Sequence, residues 1–318
     1  MEIPQFSKLF KQTSHNGSWI AITLSKNGVH IAKAKYVGAR PQVTKCSFYP
    51  LAEVTAAALE KIRKDASLDT SRFTTLLSAN EYQLIMVEAP NVPVDELKTA
   101  IRWKVKDLLN YHVDDATIDV LKIPTNKYGS DRPQSLYAVA ASNETIRKRI
   151  SLFEKAKVEL NVIDIPEMAQ RNIAALYETE ARGLALLAFS DEGGLLTITC
   201  DGELFLARRI DITLGQLQDA DENLRQQYLG RVELEVQRSL DYFDRQFHHI
   251  PVSRMLVCAP EELRLERILA DSLGLPVEKL DLAQKMDIIA VPELLDSEFV
   301  SYAMPALGAA LRQERRAL

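Results

Sequence analysis

The chain has 318 residues, 47% of them apolar, enough to bury a large core and, on length alone, about two domains. Its 39 basic and 44 acidic residues leave a net charge of -5, which argues against a nucleic-acid binder, because neutralising phosphates takes a basic face. Cys46, Cys200 and Cys258 are odd in number and fit neither a disulfide framework nor paired metal-ligand spacing, and no apolar run approaches the ~20 residues of a membrane span or the block of a signal peptide; small buried hydrophobes and a cytoplasmic location are expected.

Met1 to Gly17 is polar, with Ile3, Phe6, Leu9 and Phe10 among lysines, and reads as a loose tail or a short amphipathic turn touching a membrane or partner. Trp19 to Leu24, Val29 to Tyr36 and Gln42 to Tyr49 then form three antiparallel strands, with Lys26-Asn27-Gly28 and Gly38 to Pro41 as turns. A helix over Leu51 to Ser67 and a strand over Thr74 to Ser78 follow.

Pro90 to Ala141 breaks this pattern. Pro90-Asn91-Val92-Pro93 leads into a helix from Val94 to Asn110, whose apolar stripe is Val94, Leu97, Ile101, Val105, Leu108 and Leu109. Trp103 falls on the opposite face, either packed under the strands that follow (Thr117 to Pro124 and Ser135 to Ala141) or lining a partner site. Tyr128 to Pro133 reads as a solvated hairpin tip, so the segment is expected as a small helix-plus-sheet subdomain set into the first half. Asp114, Asp115 and Asp119 read as an exposed acidic loop rather than acid-base machinery. A helix from Asn143 to Glu159, a strand over Val162 to Ile165 and a helix opened by Pro166 make the connection between halves.

Gly183 to Asp211 carries a second three-strand meander, its first run almost wholly apolar, with turns at Asp191 to Gly194 and at Asp201-Gly202. In the long helix expected over Ala220 to His248, Leu229, Val232, Val236, Leu240, Phe243 and Phe247 fall in one arc that must be buried, while Arg231, Glu235 and Arg238 make a solvated face. His248-His249 read as a helix end rather than a metal site. A strand over Met255 to Cys258, a helix from Glu261 to Leu273, a short strand near Val277 to Leu280 and a closing helix from Pro305 to Gln313 complete the chain.

The order of elements is thus duplicated, and a β-β-β-α-β-α unit used twice is the build of the actin, Hsp70 and sugar-kinase fold. The expected domains are a tail (1–17), a first half (18–165) with the insert at 90–141, and a second half (166–318). Fold order alone assigns no chemistry. No Walker A sequence, G-x-S-x-G, H-E-x-x-H or paired-cysteine motif is present.

Four stretches, LGRVELEVQRSLDYFDRQFHHIPVSRMLVCAP, AIRWKVKDLLNYHVDD, NVIDIPEMAQRNIAAL and YAMPALGAALR, resemble the PilM family of type IV pilus assembly proteins, and the resemblance spans essentially Trp19 to Arg312. It implies an actin-like fold with an inserted subdomain, ATP bound between the halves, and a groove against the first half and its insert that holds the cytoplasmic N-terminal peptide of an inner-membrane protein of the PilN type. In that family the phosphate loops are hairpins written around Asp-x-Gly, the Asp serving hydrated Mg²⁺ and the Gly close phosphate approach. Here the matching positions are Ala21-Ile22-Thr23 and Ala188-Phe189-Ser190, and Ala259-Pro260 replaces a Gly-Gly expected near adenine. The resemblance with these departures implies a cytoplasmic, non-catalytic adaptor with a degenerate nucleotide cleft and no cofactor. Trp103 and Tyr111 would lie at the rim of the peptide groove, and the assembly ATPase would be a second partner. The alternative is ATP with Mg²⁺ on a shifted loop using Asp191, Gly193 and Gly194, in a slow ATPase.

Overall fold

The computed structural model describes residues 18–68, 72–124 and 134–313; the expected tail at Met1 to Gly17 and hairpin tip at Tyr128 to Pro133 lie outside them. Strands β1 (Trp19–Ser25), β2 (Gly28–Val37) and β3 (Arg40–Pro50) form the first meander, followed by α1 (Ala56–Asp65) and β4 (Arg72–Leu76). The insert holds β5 (Tyr82–Glu88), α2 (Leu97–Val105), β6 (Ala116–Lys122) and β7 (Ser135–Ser142). Helix α3 (Asn143–Lys155), β8 (Leu160–Asp164) and α4 (Pro166–Ala174) lead to the second half. That half is β9 (Gly183–Ser190), β10 (Gly193–Cys200), β11 (Glu203–Ile210), α5 (Leu214–Leu217), α6 (Glu222–Gln246), β12 (Val252–Cys258), α7 (Leu265–Leu273), β13 (Val277–Lys279) and α8 (Ser297–Ala310).

The two large sheets have the orders β3-β2-β1-β4-β8 and β11-β10-β9-β12-β13. Each consists of an antiparallel meander whose first strand pairs in parallel with the strand after the helix, so the duplication expected from element order is one of topology. Between the sheets lie α4 and α8, and one apolar core runs from Ala21, Ala32 and Leu76 of the first sheet to Leu184, Leu186 and Leu256 of the second. The predicted stripe of α6 is buried at Leu229, Val232, Val236 and Phe243 and packs on β10 and β11, with Phe205 edge-on to Phe243 and Phe247 at ring distances of 6.5 and 5.3 Å.

Three boundaries differ most from expectation. The insert begins at β5, before Pro90, because Tyr82–Glu88 pairs antiparallel with β7 as the edge of a three-stranded sheet ordered β5-β7-β6. Its helix is shorter than Val94–Asn110: a 3-10 turn takes over at Lys106, and Val94 and Leu108 are exposed rather than part of the core stripe, which is Ile101 and Val105 over Val87, Leu136 and Ala138. The closing helix starts at Ser297, capped by Asp296, and runs through Pro305. Pro305 removes one helical hydrogen bond, but burial of Val300, Ala303, Met304, Ala306 and Leu307 between the sheets holds the helix across it.

Among the described residues no helix is long and apolar enough to cross a membrane. All three cysteines are buried and free.

Candidate functional site

The first hairpins of the two halves face each other across a cleft of about 390 Å³, floored by the starts of α4 and the middle of α8. The hairpins are built alike. Ser25 and Ser190 end their strands, Gly28 and Gly193 begin the returning ones, and each serine hydroxyl donates to the facing glycine carbonyl, at 3.1 and 3.4 Å.

This equivalence corrects one expected site position. If Ser25 matches Ser190, Ala188 matches Thr23, not Ala21. Ala21 lies two residues deeper in β1, paired with Ala32 and Thr74 and fully buried against the interlobe helices, whereas Thr23, Leu24 and Ser25 line the cleft. On this equivalence the positions expected to carry the family's Asp are Thr23 and Ala188, and those expected to carry its Gly are Ser25 and Ser190. None of the four has a carboxylate, and none adopts a positive φ.

Asp191, Gly193 and Gly194 also line the cleft, and packing accounts for both glycines. Gly193 has φ +112°, and a Cβ there would lie 2.8 Å from the carbonyl oxygen of Ile210; at Gly194 it would lie 2.6 Å from the Phe189 ring. Ala259 and Pro260 are buried away from the cleft. Ala259 sits instead over a separate pocket of about 230 Å³ bounded by Lys279 and Leu294, and Pro260 opens a 3-10 turn whose Glu261 N-H donates to Ser297 Oγ at 3.1 Å.

Direct contacts join the halves around the cleft. Ala79 N-H donates to Glu192 Oε2 at 2.9 Å, fastening the second hairpin to the first half. The segment that presents Ala79 is itself held by Arg149, which is buried on α3 and donates to the Leu76 carbonyl and to Glu81, while Glu81 accepts from Ser78 N-H at 2.7 Å. On the other side, Tyr82 of the insert, Glu167 of α4 and Arg209 of β11 form a triad. The Tyr82 hydroxyl donates to Glu167, and Arg209 donates to Tyr82 and, at 3.0 Å, to Glu167 Oε1. Glu167 is only 1% exposed, and burial, reinforced by the Glu167 carboxylate, pushes the Tyr82 phenol far above its ordinary range. Sequence reasoning missed the triad, because its members lie on three separate elements with no common spacing.

His30 on β2 was missed as well. It lines the cleft at 9% exposure with its ring 4.5 Å from that of Phe48, and its Nδ1 is buried without a hydrogen-bond partner. Burial lowers its pKa to about 4, so the imidazole is neutral at physiological pH. The alternation of β2 places it inward, which was the available signal.

The two residues expected at a partner groove lie outside the cleft, on the insert. Trp103 is 64% exposed with Lys106 Nζ 5.9 Å from its ring centroid, so the reading that it packs under the strands does not hold. Tyr111 is half-buried, and its hydroxyl has no partner; burial raises its pKa. Gln83 of the edge strand β5 donates its amide to the Leu108 carbonyl at 3.2 Å and leaves its own buried carbonyl oxygen unpaired. Two of the acidic residues beside α2 are in surface pairs, Asp114 with Arg102 at 3.2 Å and Asp119 with Lys98 at 2.6 Å. His248 and His249 are exposed after α6, and the described residues contain no cluster of three metal-ligating side chains.

No family model matches the sequence, and no curated protein matches it. Solved structures do. A PilM–PilN type IV pilus biogenesis complex superposes with a TM-score of 0.74 at 16% identity, covering 93% of this chain and 98% of that one. The cytoplasmic domain of EpsL, an inner-membrane component of the Vibrio cholerae type II secretion system, gives 0.47 at 13% identity, covering 76% and 82% of the two chains. A Bacteroides thetaiotaomicron protein with an actin-like ATPase fold gives 0.47 at 9% identity, covering 92% and 99%. The chain has the actin-like fold.

Proposed function

We propose that this protein is a cytoplasmic, non-catalytic adaptor of a type IV pilus assembly machine, peripheral to the inner membrane through its partner. It captures the N-terminal cytoplasmic tail of a PilN-type membrane protein and links it to the assembly ATPase. The finer reading is a pilus of the mannose-sensitive haemagglutinin (MSHA) type, in which the chain takes the part of MshI and the captured tail is that of MshJ. The observation that carries the proposal is the end-to-end likeness to a chain of a PilM–PilN complex; the reading of the cleft as non-catalytic is supported by Thr23 and Ala188, neither a carboxylate, at the hairpin positions where an Asp would serve a hydrated Mg²⁺.

The insert is suited to a peptide. Its edge strand β5 pairs on one side only, Leu108 is exposed beside it, Trp103 is exposed on α2 of the same insert, and Tyr111 Oη and Gln83 Oε1 are polar atoms without partners. An extended tail laid there gains main-chain hydrogen bonds from the edge and side-chain contacts from the rim. The test is a pull-down with the partner's N-terminal peptide on native protein and on Trp103→Ala and Tyr111→Phe. Loss of capture with Trp103→Ala, at unchanged melting temperature, supports the groove; unchanged affinity for both variants removes these residues from it.

The second reading is a PilM-like ATP-binding protein or slow ATPase using Asp191, Gly193 and Gly194 at the cleft. It is favoured only by the position of those residues in the lining. Calorimetry with ATP and Mg²⁺ decides between the two, since micromolar binding reverses their order.

A further inference from the structure

The chain is acidic overall, with a net charge of -5, yet one face of the first sheet collects lysines. On the outer side of β2, Val29 and Ile31 pack with Leu59, Ile62 and Phe153 of α1 and α3. Strand alternation carries that same face on to Lys33 and Lys35, and β3 adds Lys45 directly opposite Lys33. Like charges that face each other across an antiparallel pair repel, so this pairing costs stability that a carboxylate in either place would recover. None is there. The three ammonium groups, half-buried at Lys33 and Lys45 and exposed at Lys35, have no ion-pair or hydrogen-bond partner among the described residues. By contrast, Lys64 and Lys157 share Glu60.

The segment that precedes β1 joins the fold beside these lysines. Trp19 pairs with Ala34, which stands between Lys33 and Lys35. At helical spacing Ile3, Phe6, Leu9 and Phe10 of that segment share one side and Lys8 and Lys11 the other, a pattern suited to lying in a bilayer interface. Segment and sheet face thus carry complementary parts of one signal: apolar side chains to enter the acyl boundary and a basic surface to meet acidic headgroups. Stable attachment takes two such signals, because one alone gives only marginal, reversible binding. A water-soluble acidic partner would account for the lysines and leave the apolar side of the segment without a role, which favours a membrane.

We propose that Met1 to Lys11 and the face of Lys33, Lys35 and Lys45 together seat the protein on an anionic phospholipid bilayer, a foothold of its own beside the one its membrane partner supplies. No residue of the insert takes part, so the proposal stands or falls separately from the adaptor reading.

The test is sedimentation of the full chain, without any partner, on phosphatidylcholine vesicles with and without phosphatidylglycerol. Binding is expected only where phosphatidylglycerol is present, and it declines as salt is raised, because exposed charges are screened. At about fivefold per lysine, the variant Lys33→Gln/Lys35→Gln/Lys45→Gln lowers the partition coefficient roughly a hundredfold. The variant Phe6→Ser/Phe10→Ser lowers it by about tenfold or more through lost apolar burial. Both variants capture the partner's peptide as the native chain does. The lysine variant melts no lower than the native protein, since it removes the repulsion between Lys33 and Lys45, and this separates lost binding from lost fold. Lys35→Glu, a single change at an exposed position, gives the same direction of change should the triple variant melt lower. A native chain that does not sediment with phosphatidylglycerol overturns the proposal and leaves an acidic protein as what the lysines meet. Equal sedimentation on phosphatidylcholine alone overturns it as well. So does native-like binding by the lysine variants, which removes the sheet face from the contact, or by Phe6→Ser/Phe10→Ser, which removes the segment.

Discussion

Replacing Gly308 by alanine tests the packing that holds the two halves together. Gly308 is on α8, where that helix crosses α4, and a Cβ added to it would lie 2.2 Å from the carbonyl oxygen of Ala169 and 2.6 Å from the carbonyl carbon. Both are backbone atoms, so no side chain can swing aside, and an ordinary contact of about 3.4 Å requires the helices to separate by roughly 1 Å. Such overpacking costs about 1–3 kcal/mol, and a 1 Å gap elsewhere along the interface forfeits further dispersion. The bond from Asn172 Nδ2 to Gly308 O, 2.9 Å in the native protein, is stretched as well. We expect about 3 kcal/mol of destabilisation, which lowers the melting temperature of a 318-residue chain by about 4–5 °C in scanning calorimetry. Gly230→Ala is the matched control. Gly230 is exposed inside α6 with nothing within 4 Å of the added Cβ, so the same change should stabilise by about 0.5–1 kcal/mol through helix propensity. Opposite signs are the expected result. A Gly308→Ala protein that melts within about 1 °C of the native one refutes the close approach of α4 and α8.

The Tyr82–Glu167–Arg209 triad predicts that Arg209→Met destabilises by about 3 kcal/mol, near the low end for breaking a buried pair because the guanidinium is 37% exposed and partly screened. Adding Glu167→Gln should restore part of the loss, and strict additivity in urea unfolding would remove the coupling. His30, neutral and buried with its pKa lowered to about 4 from 6.5, binds fewer protons folded than unfolded between those values. Its contribution is therefore full above pH 6.5 and is lost as pH falls toward 4, by about 3 kcal/mol in all. A His30→Phe protein should show a flatter stability profile in that window than the native chain, and parallel profiles would contradict the burial. Phe243→Ala, which empties a fully buried position between Phe205 and Phe247, should cost about 3–5 kcal/mol, read as a shifted urea midpoint at unchanged slope.

The sequence alone determined the elements whose pattern repeats locally. The stripe of α6 was legible because burial against a sheet requires apolar residues every three or four positions, and the two meanders because alternation and glycine turns are properties of neighbouring residues. Their duplication carried the fold. What local pattern could not carry was decided by tertiary structure. Strand β5 is an apolar run whose partner lies more than forty residues on in the chain, so pairing, and not periodicity, makes it a strand of the insert. Ala21 and Thr23 point to the same face of one strand, and only the packing of α8 over one end of it puts the first in the core and the second in the cleft. Arg149 and Arg209 look like surface charges in sequence; the folded chain gives the first a buried carbonyl and the second a buried carboxylate to serve. Secondary structure answers to neighbours along the chain, whereas a site between two halves is made of residues that only the fold brings within reach.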